Sequence, residues 1–227
     1  MPDYVFPPAA VPAVPVEGTT ALFPVRRILC VGRNYAAHRR EMGGDEREPP
    51  FFFAKPADAI VPLGGDVPYP SLTANLHHEV ELVAALGGGG ADVPVEDALS
   101  LVFGYAVGVD LTRRDLQSAA KDKGQPWEAG KGFDAGAPIG AIRPAALCGE
   151  ATGAISLTVN GQTRQAARVA DMIWSTAEVI AQASRLWRLA PGDLIFTGTP
   201  EGVGPLVRGD VVHGEIESVG VLDFTIR

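Results

Sequence analysis

The stretch LHHEVELVAALG, residues 76–87, decides how this chain folds. Its apolar residues Leu76, Val80, Leu82, Val83, Ala84, Ala85 and Leu86 read as a strand bound for a core, yet Glu79 and Glu81 stand two apart within it. Alternate side chains of a strand share a face, so both carboxylates project the same way. Two readings are open. On an edge strand the pair would face solvent. Buried, the two would repel each other and lose hydration, a cost that a cation must offset. Carboxylate oxygens suit hard ions such as Mg²⁺, Mn²⁺ or Ca²⁺ rather than zinc. Asp110, which ends the apolar run FGYAVGVD, is the third candidate ligand. Three carboxylates around one ion leave an open half-shell for water and substrate oxygens. His77 and His78 precede the pair, but neighbours in a strand face opposite ways and make poor joint ligands.

Working outward, RRILCVGRN reads as a short strand ending at Gly32, followed by a short helix with Asn34 as N-cap and Gly43 as stop. The segment PPFFFAKPADAIVPLGGDVPYP is strand-like but cut by Pro and Gly, which predicts short edge pieces. The run GGGGADVP lacks the Lys and Ser/Thr of a phosphate-binding loop and reads as a flexible turn. After Asp110, Thr112 and Asp115 stand at capping-box spacing before a short helix. ISLTVNGQTRQ is a hairpin turning at Asn160-Gly161. One long helix is predicted, with a Ser175/Glu178 capping box, an apolar face of Val179, Ile180, Ala183, Leu186 and Trp187, and a stop at Pro191-Gly192. The remainder returns to short strands and Gly-rich turns. Strands outnumber helices without regular alternation, so the fold class is α+β and β-rich rather than doubly wound. Residues 1 to 25, rich in Pro and Ala, read as an extended arm before a body spanning 26 to 227. No internal repeat is apparent.

Bulk properties narrow the function. With 227 residues, 46% hydrophobic and 20% charged, the chain can bury a sizeable core. Its net charge of −8 and the absence of a basic block argue against nucleic acid or an anionic membrane surface as partners. Cys30 and Cys148 suit neither a disulfide framework nor a zinc site, which points to a reducing cytoplasm. Prolines at 2, 7, 8, 12 and 15 break the N-terminus, and no segment reaches the ~20 apolar residues that span a bilayer.

Six blocks in order, CVGRNYAAHRREMG, PPFFFAKPADAI, LHHEVELVAALG, GYAVGVDLTRRDLQ, GKGFDAGAPIG and PGDLIFTGTPEGVGPL, resemble the fumarylacetoacetate hydrolase family over roughly residues 26 to 227. The resemblance implies a mixed β-sandwich roll with a few short helices and one long helix, usually paired as a homodimer. It implies Mg²⁺ or Mn²⁺ held by Glu79, Glu81 and Asp110. His38 and Glu41, three apart on a helix and so on one face, become the pair that takes a proton from water, on a segment that closes over substrate in relatives. Lys131, in the KGF block, becomes a catalytic cation, although an isolated Lys is otherwise read as surface. Arg114 and Gln117 match the family's RDxQ pattern and would face substrate. Thr199, in TGTPEGVG, turns toward the same pocket. Arg33 and Arg114 are candidates to hold substrate carboxylates, because a planar guanidinium pairs well with them.

The implied reaction is carbon–carbon cleavage of a 2,4-dioxo acid such as 3-fumarylpyruvate to fumarate and pyruvate, as in gentisate-type aromatic degradation. Two alternatives share the fold. One keeps the metal site but isomerises or decarboxylates substrates such as 2-hydroxyhepta-2,4-diene-1,7-dioate or oxaloacetate. The other binds the cation without turnover.

Overall fold

The computed structural model describes residues 3–35 and 48–227. A mixed sheet carries the site. Its strands run in the order Phe51–Lys55, Arg27–Gly32, Asp193–Phe196, Val80–Leu86, Val102–Val109, Ala137–Ile139 and Ile60–Pro62. A five-stranded sheet packs beside it, in the order Gln162–Arg168, Ala154–Val159, Val211–Ile216, Gly220–Ile226 and Gly65–Val67. A smaller sheet orders Thr112–Arg113, Leu76–His78 and Gly204–Leu206. The expected β-rich α+β fold is the one observed. The Pro-interrupted pieces fall at sheet edges, as their missing donors require: Phe51–Lys55 and Ile60–Pro62 flank the large sheet and Gly65–Val67 flanks the five-stranded one. No helix among the described residues is long and apolar enough to cross a membrane.

The strand alternation sorts the core into two sides. Leu82, Ala84 and Leu86 point into a cluster with Ile155, Leu157, Val212, Ile216, Leu222 and Phe224 of the five-stranded sheet. Val83 and Ala85 point the other way, into a second cluster with Ile28, Cys30, Ala106, Leu194 and Phe196. Glu79 and Glu81 have the parity of Val83 and Ala85, so they leave the sheet on the face away from the sandwich interior. Across the ladder, Glu81 lies opposite Gly108, and the Asp110 amide donates to the Glu79 carbonyl at 2.8 Å. Gly108 is required there: a Cβ would lie 2.5 Å from Val83 Cγ2 and 2.6 Å from Phe196 Cε1.

Several local expectations differ from what is observed. The stretch 76–87 is two strands, Leu76–His78 and Val80–Leu86, broken at Glu79 and belonging to different sheets. Thr112 and Asp115 form no capping box. Arg113 is the N-cap of the helix Arg114–Asp122 and no side chain caps it. Thr112 is instead paired in a strand against His77, while Asp115 accepts from Thr73 Oγ1 at 2.6 Å and from the Ala74 amide at 3.0 Å. The glycine run after Leu86 is anchored at its end, where Gly90 and Leu189 exchange backbone hydrogen bonds of 3.0 and 2.8 Å. The Asn34 carboxamide donates to the carbonyls of Trp174 and Thr197, each at 2.8 Å, and accepts from the Trp174 amide. The Gly43 stop lies outside the described residues.

The long helix, Thr176–Leu186, carries its Ser175/Glu178 box and buries Val179, Ile180 and Ala183, but Leu186 is exposed at its last turn. The hairpin turns at Asn160 and Gly161, both at positive φ. In the N-terminal region Ala13–Pro15 pairs with Leu22–Pro24, and Val14, Val16, Phe23 and Val25 are buried in the second cluster, whereas residues 3–11 are exposed. Both cysteines are free. Replacing Gly108 by Ala should cost about 1–3 kcal/mol through overpacking against Val83 and Phe196, read as a lowered urea midpoint; an unchanged midpoint would refute this packing.

Candidate active site

Glu79, at the strand break, Glu81, two residues on, and Asp110, at the end of its neighbour, meet at one place. Each offers a carboxylate oxygen, and these all lie within 4.8 Å of one another. All three residues are buried, at 6%, 1% and 0% exposure, which rules out the solvent-face reading of the strand.

Three cations share the region. Lys131 Nζ donates to Glu79 Oε2 at 2.7 Å, to Asp110 Oδ2 at 2.6 Å and to Thr112 Oγ1 at 2.7 Å. Far from being a surface residue, it is 2% exposed. The Arg114 guanidinium pairs with Glu79 Oε1 and donates to Gln117 Oε1 at 2.6 Å. Lys55 Nζ lies 2.8 Å from Asp110 Oδ1 and donates to the carbonyls of Leu111 at 3.1 Å, Gly136 at 3.0 Å and Lys131 itself.

The carboxylates therefore have unequal environments. Burial pushes the Glu79 carboxyl up, but Lys131 and Arg114 outweigh it and bring it down to about 2. Burial pushes Glu81 up as well, and the neighbouring Asp110 and Glu79 charges add to that, so its carboxyl sits well above the ordinary range. Its polar contact here is the Gly198 amide, which donates to Oε2 at 2.7 Å, and it makes no ion pair among the described residues. Gly198 can present that amide because it sits at φ +100°, where a Cβ would also come within 2.7 Å of Asn34 Cβ. Burial lowers the Lys131 ammonium but Asp110 and Glu79 raise it further, so it is held charged. The donor set is oxygen only, buried, and short of positive charge at Glu81. That is the chemistry a hard divalent cation satisfies, so these residues can hold a metal ion.

A cavity of about 260 Å³ opens onto the cluster, lined among others by Glu79, Glu81, Lys131, Arg33, Arg114, Gln117 and Thr199. All the expected site residues that are described thus converge. Arg33 holds its place with a backbone φ of +63°, uncommon for a residue with a side chain. His38 and Glu41 lie outside the described residues.

Sequence reasoning passed over three further residues. Lys55 carried a usable signal, a charge closing the aromatic run FFFAK. Lys121 lines the cavity one turn beyond Gln117, at a spacing that helical periodicity makes readable. Gln165 gave no signal: it is one polar residue among several in QTRQAAR, yet the one member of that strand that is buried.

A buried carboxylate triad with fixed cations beside a cavity can hold a divalent ion, and comparisons with known proteins place the chain. Residues 27–227 match the model of the fumarylacetoacetate (FAA) hydrolase C-terminal family. A fumarylpyruvate hydrolase from a Ralstonia species is 45% identical over 179 residues, covering 79% of this chain and 93% of that protein. An oxaloacetate tautomerase from Escherichia coli K12 is 42% identical over 199 residues, covering 86% and 90%. The crystal structure of fumarylpyruvate hydrolase from Pseudomonas aeruginosa, in complex with Mn²⁺ and pyruvate, superposes with a TM-score of 0.97 at 52% identity, covering 99% of each chain. This chain belongs to the fumarylacetoacetate hydrolase family and is an enzyme.

Removing the Lys55 ammonium takes from buried Asp110 Oδ1 its charge partner and from three carbonyls a donor. Lys55→Met should cost about 3–5 kcal/mol in chemical denaturation; a variant as stable as the parent would show that the Asp110 pairing contributes nothing.

Proposed function

We propose that this protein is a divalent-metal-dependent hydrolase that cleaves the carbon–carbon bond of 3-fumarylpyruvate to fumarate and pyruvate, with Mg²⁺ or Mn²⁺ held by Glu79, Glu81 and Asp110. The observation that carries this reading is the three-carboxylate cluster opening on a cation-lined cavity. The Ralstonia and Pseudomonas relatives support the substrate.

When bound, the ion supplies Lewis-acid polarisation of substrate oxygens. The chain's own groups do the rest. Lys131, fixed by two carboxylates and Thr112, presents a positive charge beside the pyruvate end of the substrate. There it stabilises the charge that develops as the bond breaks. His38, oriented by Glu41, takes the proton of the water that attacks the distal carbonyl. Arg114 is engaged by Glu79 and Gln117, so it orders the ligand carboxylate as well as lining the pocket. Arg33 and Lys121 line the same cavity without an ion pair among the described residues and would receive the second carboxylate of a dicarboxylic substrate. Phe53 and Trp127 supply an apolar wall for the unsaturated middle of such a molecule.

The second reading, tautomerisation of oxaloacetate, is favoured by the E. coli relative. It needs the same charged site but no attacking water, and so separates from hydrolysis at His38.

Purified protein with Mg²⁺ should release fumarate and pyruvate from 3-fumarylpyruvate, and Glu81→Gln should abolish this. His38→Ala should lower kcat roughly 10²–10⁴-fold. Absence of products, or full turnover of oxaloacetate that His38→Ala leaves untouched, would overturn hydrolysis.

Metal binding should also depend on pH in a definite direction. Glu81 keeps its proton above the ordinary carboxyl range and must lose it to ligate. The metal-induced rise in Tm should therefore be smaller at mildly acidic than at mildly alkaline pH, and a pH-independent rise would contradict this assignment.

A further inference from the structure

Gln165, 1% exposed, makes four hydrogen bonds that tie the metal-ligand strand to the Thr199 turn. Its Oε1 accepts from the Val80 amide at 3.1 Å and pairs with His78 Nδ1 at 3.0 Å. Its Nε2 donates to Thr199 Oγ1 at 2.8 Å and to the Pro200 carbonyl at 2.9 Å.

Two of these partners have fixed polarity. A backbone N–H only donates and a proline carbonyl only accepts. The carboxamide can therefore lie one way round only, with its NH₂ toward Thr199 and Pro200. Because Oε1 is the acceptor, His78 must donate from Nδ1, which leaves its Nε2 as a buried lone pair without a partner among the described residues.

The consequence falls on Thr199. A hydroxyl has one proton and two lone pairs. Gln165 Nε2 occupies one of the lone pairs, and the hydroxyl has no acceptor for its own proton among the described residues. Thr199 is buried and lines the same cavity as Glu81 and Lys131. Its proton is thus directed at the cavity's contents.

We infer that Gln165 is a positioning residue that orients Thr199, taking one lone pair of its hydroxyl and leaving the proton to be donated to an anionic oxygen of the substrate. This rests on the oxo-acid reading of the cavity. In Gln165→Glu the carboxylate can only accept, so it captures the Thr199 proton and withdraws the donor from the cavity.

The test is a double-mutant cycle on the Mn²⁺-loaded full chain, read as the Kd of pyruvate by calorimetry, with KM and kcat measured on 3-fumarylpyruvate. A hydrogen bond to a charged group sets the scale, so Gln165→Glu and Thr199→Val should each raise the pyruvate Kd roughly tenfold to a hundredfold, with KM rising in step. Thr199→Ser should hold the parent value. The decisive result is the double variant, which should bind no worse than Thr199→Val alone, because the glutamine acts only through that hydroxyl.

Undiminished loss from Gln165→Glu in the Thr199→Val background, or parent-like binding by either single variant, would overturn the proposal and leave Gln165 a structural anchor. If the glutamate variant does not fold, Gln165→Met, which only removes the donor that holds Thr199, enters the cycle and is read on the double variant alone: a loss as large in the Thr199→Val background as in the parent would overturn the proposal. A parent protein that binds no pyruvate would overturn the oxo-acid reading and this inference together. Binding by the parent with an additive cycle would overturn this inference alone.

Discussion

Three buried acidic side chains are forced into one small space, and the rest of the site is organised around their mutual repulsion. The ladder between Val80–Leu86 and Val102–Val109 fixes Glu79, Glu81 and Asp110 on one face, with carboxylate oxygens within 4.8 Å. Lys131, Lys55 and Arg114 compensate Glu79 and Asp110. Glu81 receives only a backbone amide from these residues, and its carboxyl stays raised by burial and by its two acidic neighbours. Positive charge is thus organised for two of the three carboxylates and not for Glu81, which the proposed ion would compensate. Breaking a buried pair costs more than forming it yields, so the arrangement is better understood as preorganisation for an ion than as a stabilising device.

The same geometry links fold to chemistry. Gly108 lets Val83 and Phe196 close under Glu81, and Gly198, at positive φ, aims its amide at the carboxylate. Lys55 bonds the carbonyls of Leu111, Lys131 and Gly136, and so joins the segment after Asp110 to the short helix that carries Lys131. Positions away from the cavity therefore set distances among those that line it, which is what a preorganised electrostatic site requires. The family has relatives named as a hydrolase and as a tautomerase, and under the proposed reading both reactions would use the same fixed cations beside a developing negative charge. They part over whether a water is activated.

Much of this was legible in the chain, for identifiable reasons. Period-two alternation around Glu79 and Glu81 gave the shared face, the end of an apolar run gave Asp110, and Asn160-Gly161 and Ser175/Glu178 gave a hairpin and a helix start. Polarity alone could not decide burial. Lys131 reads as surface in isolation because its burial depends on carboxylates 52 and 21 residues away. Lys55 escaped notice because its partners are mostly backbone carbonyls, and Gln165 because two of its four are a backbone amide and a backbone carbonyl and the other two are distant in sequence, which no residue pattern announces. The Thr112/Asp115 spacing misled because Thr112 was claimed by a strand and by Lys131, and Asp115 by the Thr73 loop. Local rules failed where long-range polar contacts competed for the same side chain.

The central claim is that these three carboxylates form one ligand set for a hard divalent ion. Anomalous diffraction from crystals grown with Mn²⁺, recorded on both sides of the manganese absorption edge, tests it most directly. The account predicts a single strong peak bounded by oxygens of Glu79, Glu81 and Asp110, lost in crystals of Glu81→Gln. A featureless map at that point, with manganese located elsewhere on the chain, would contradict it.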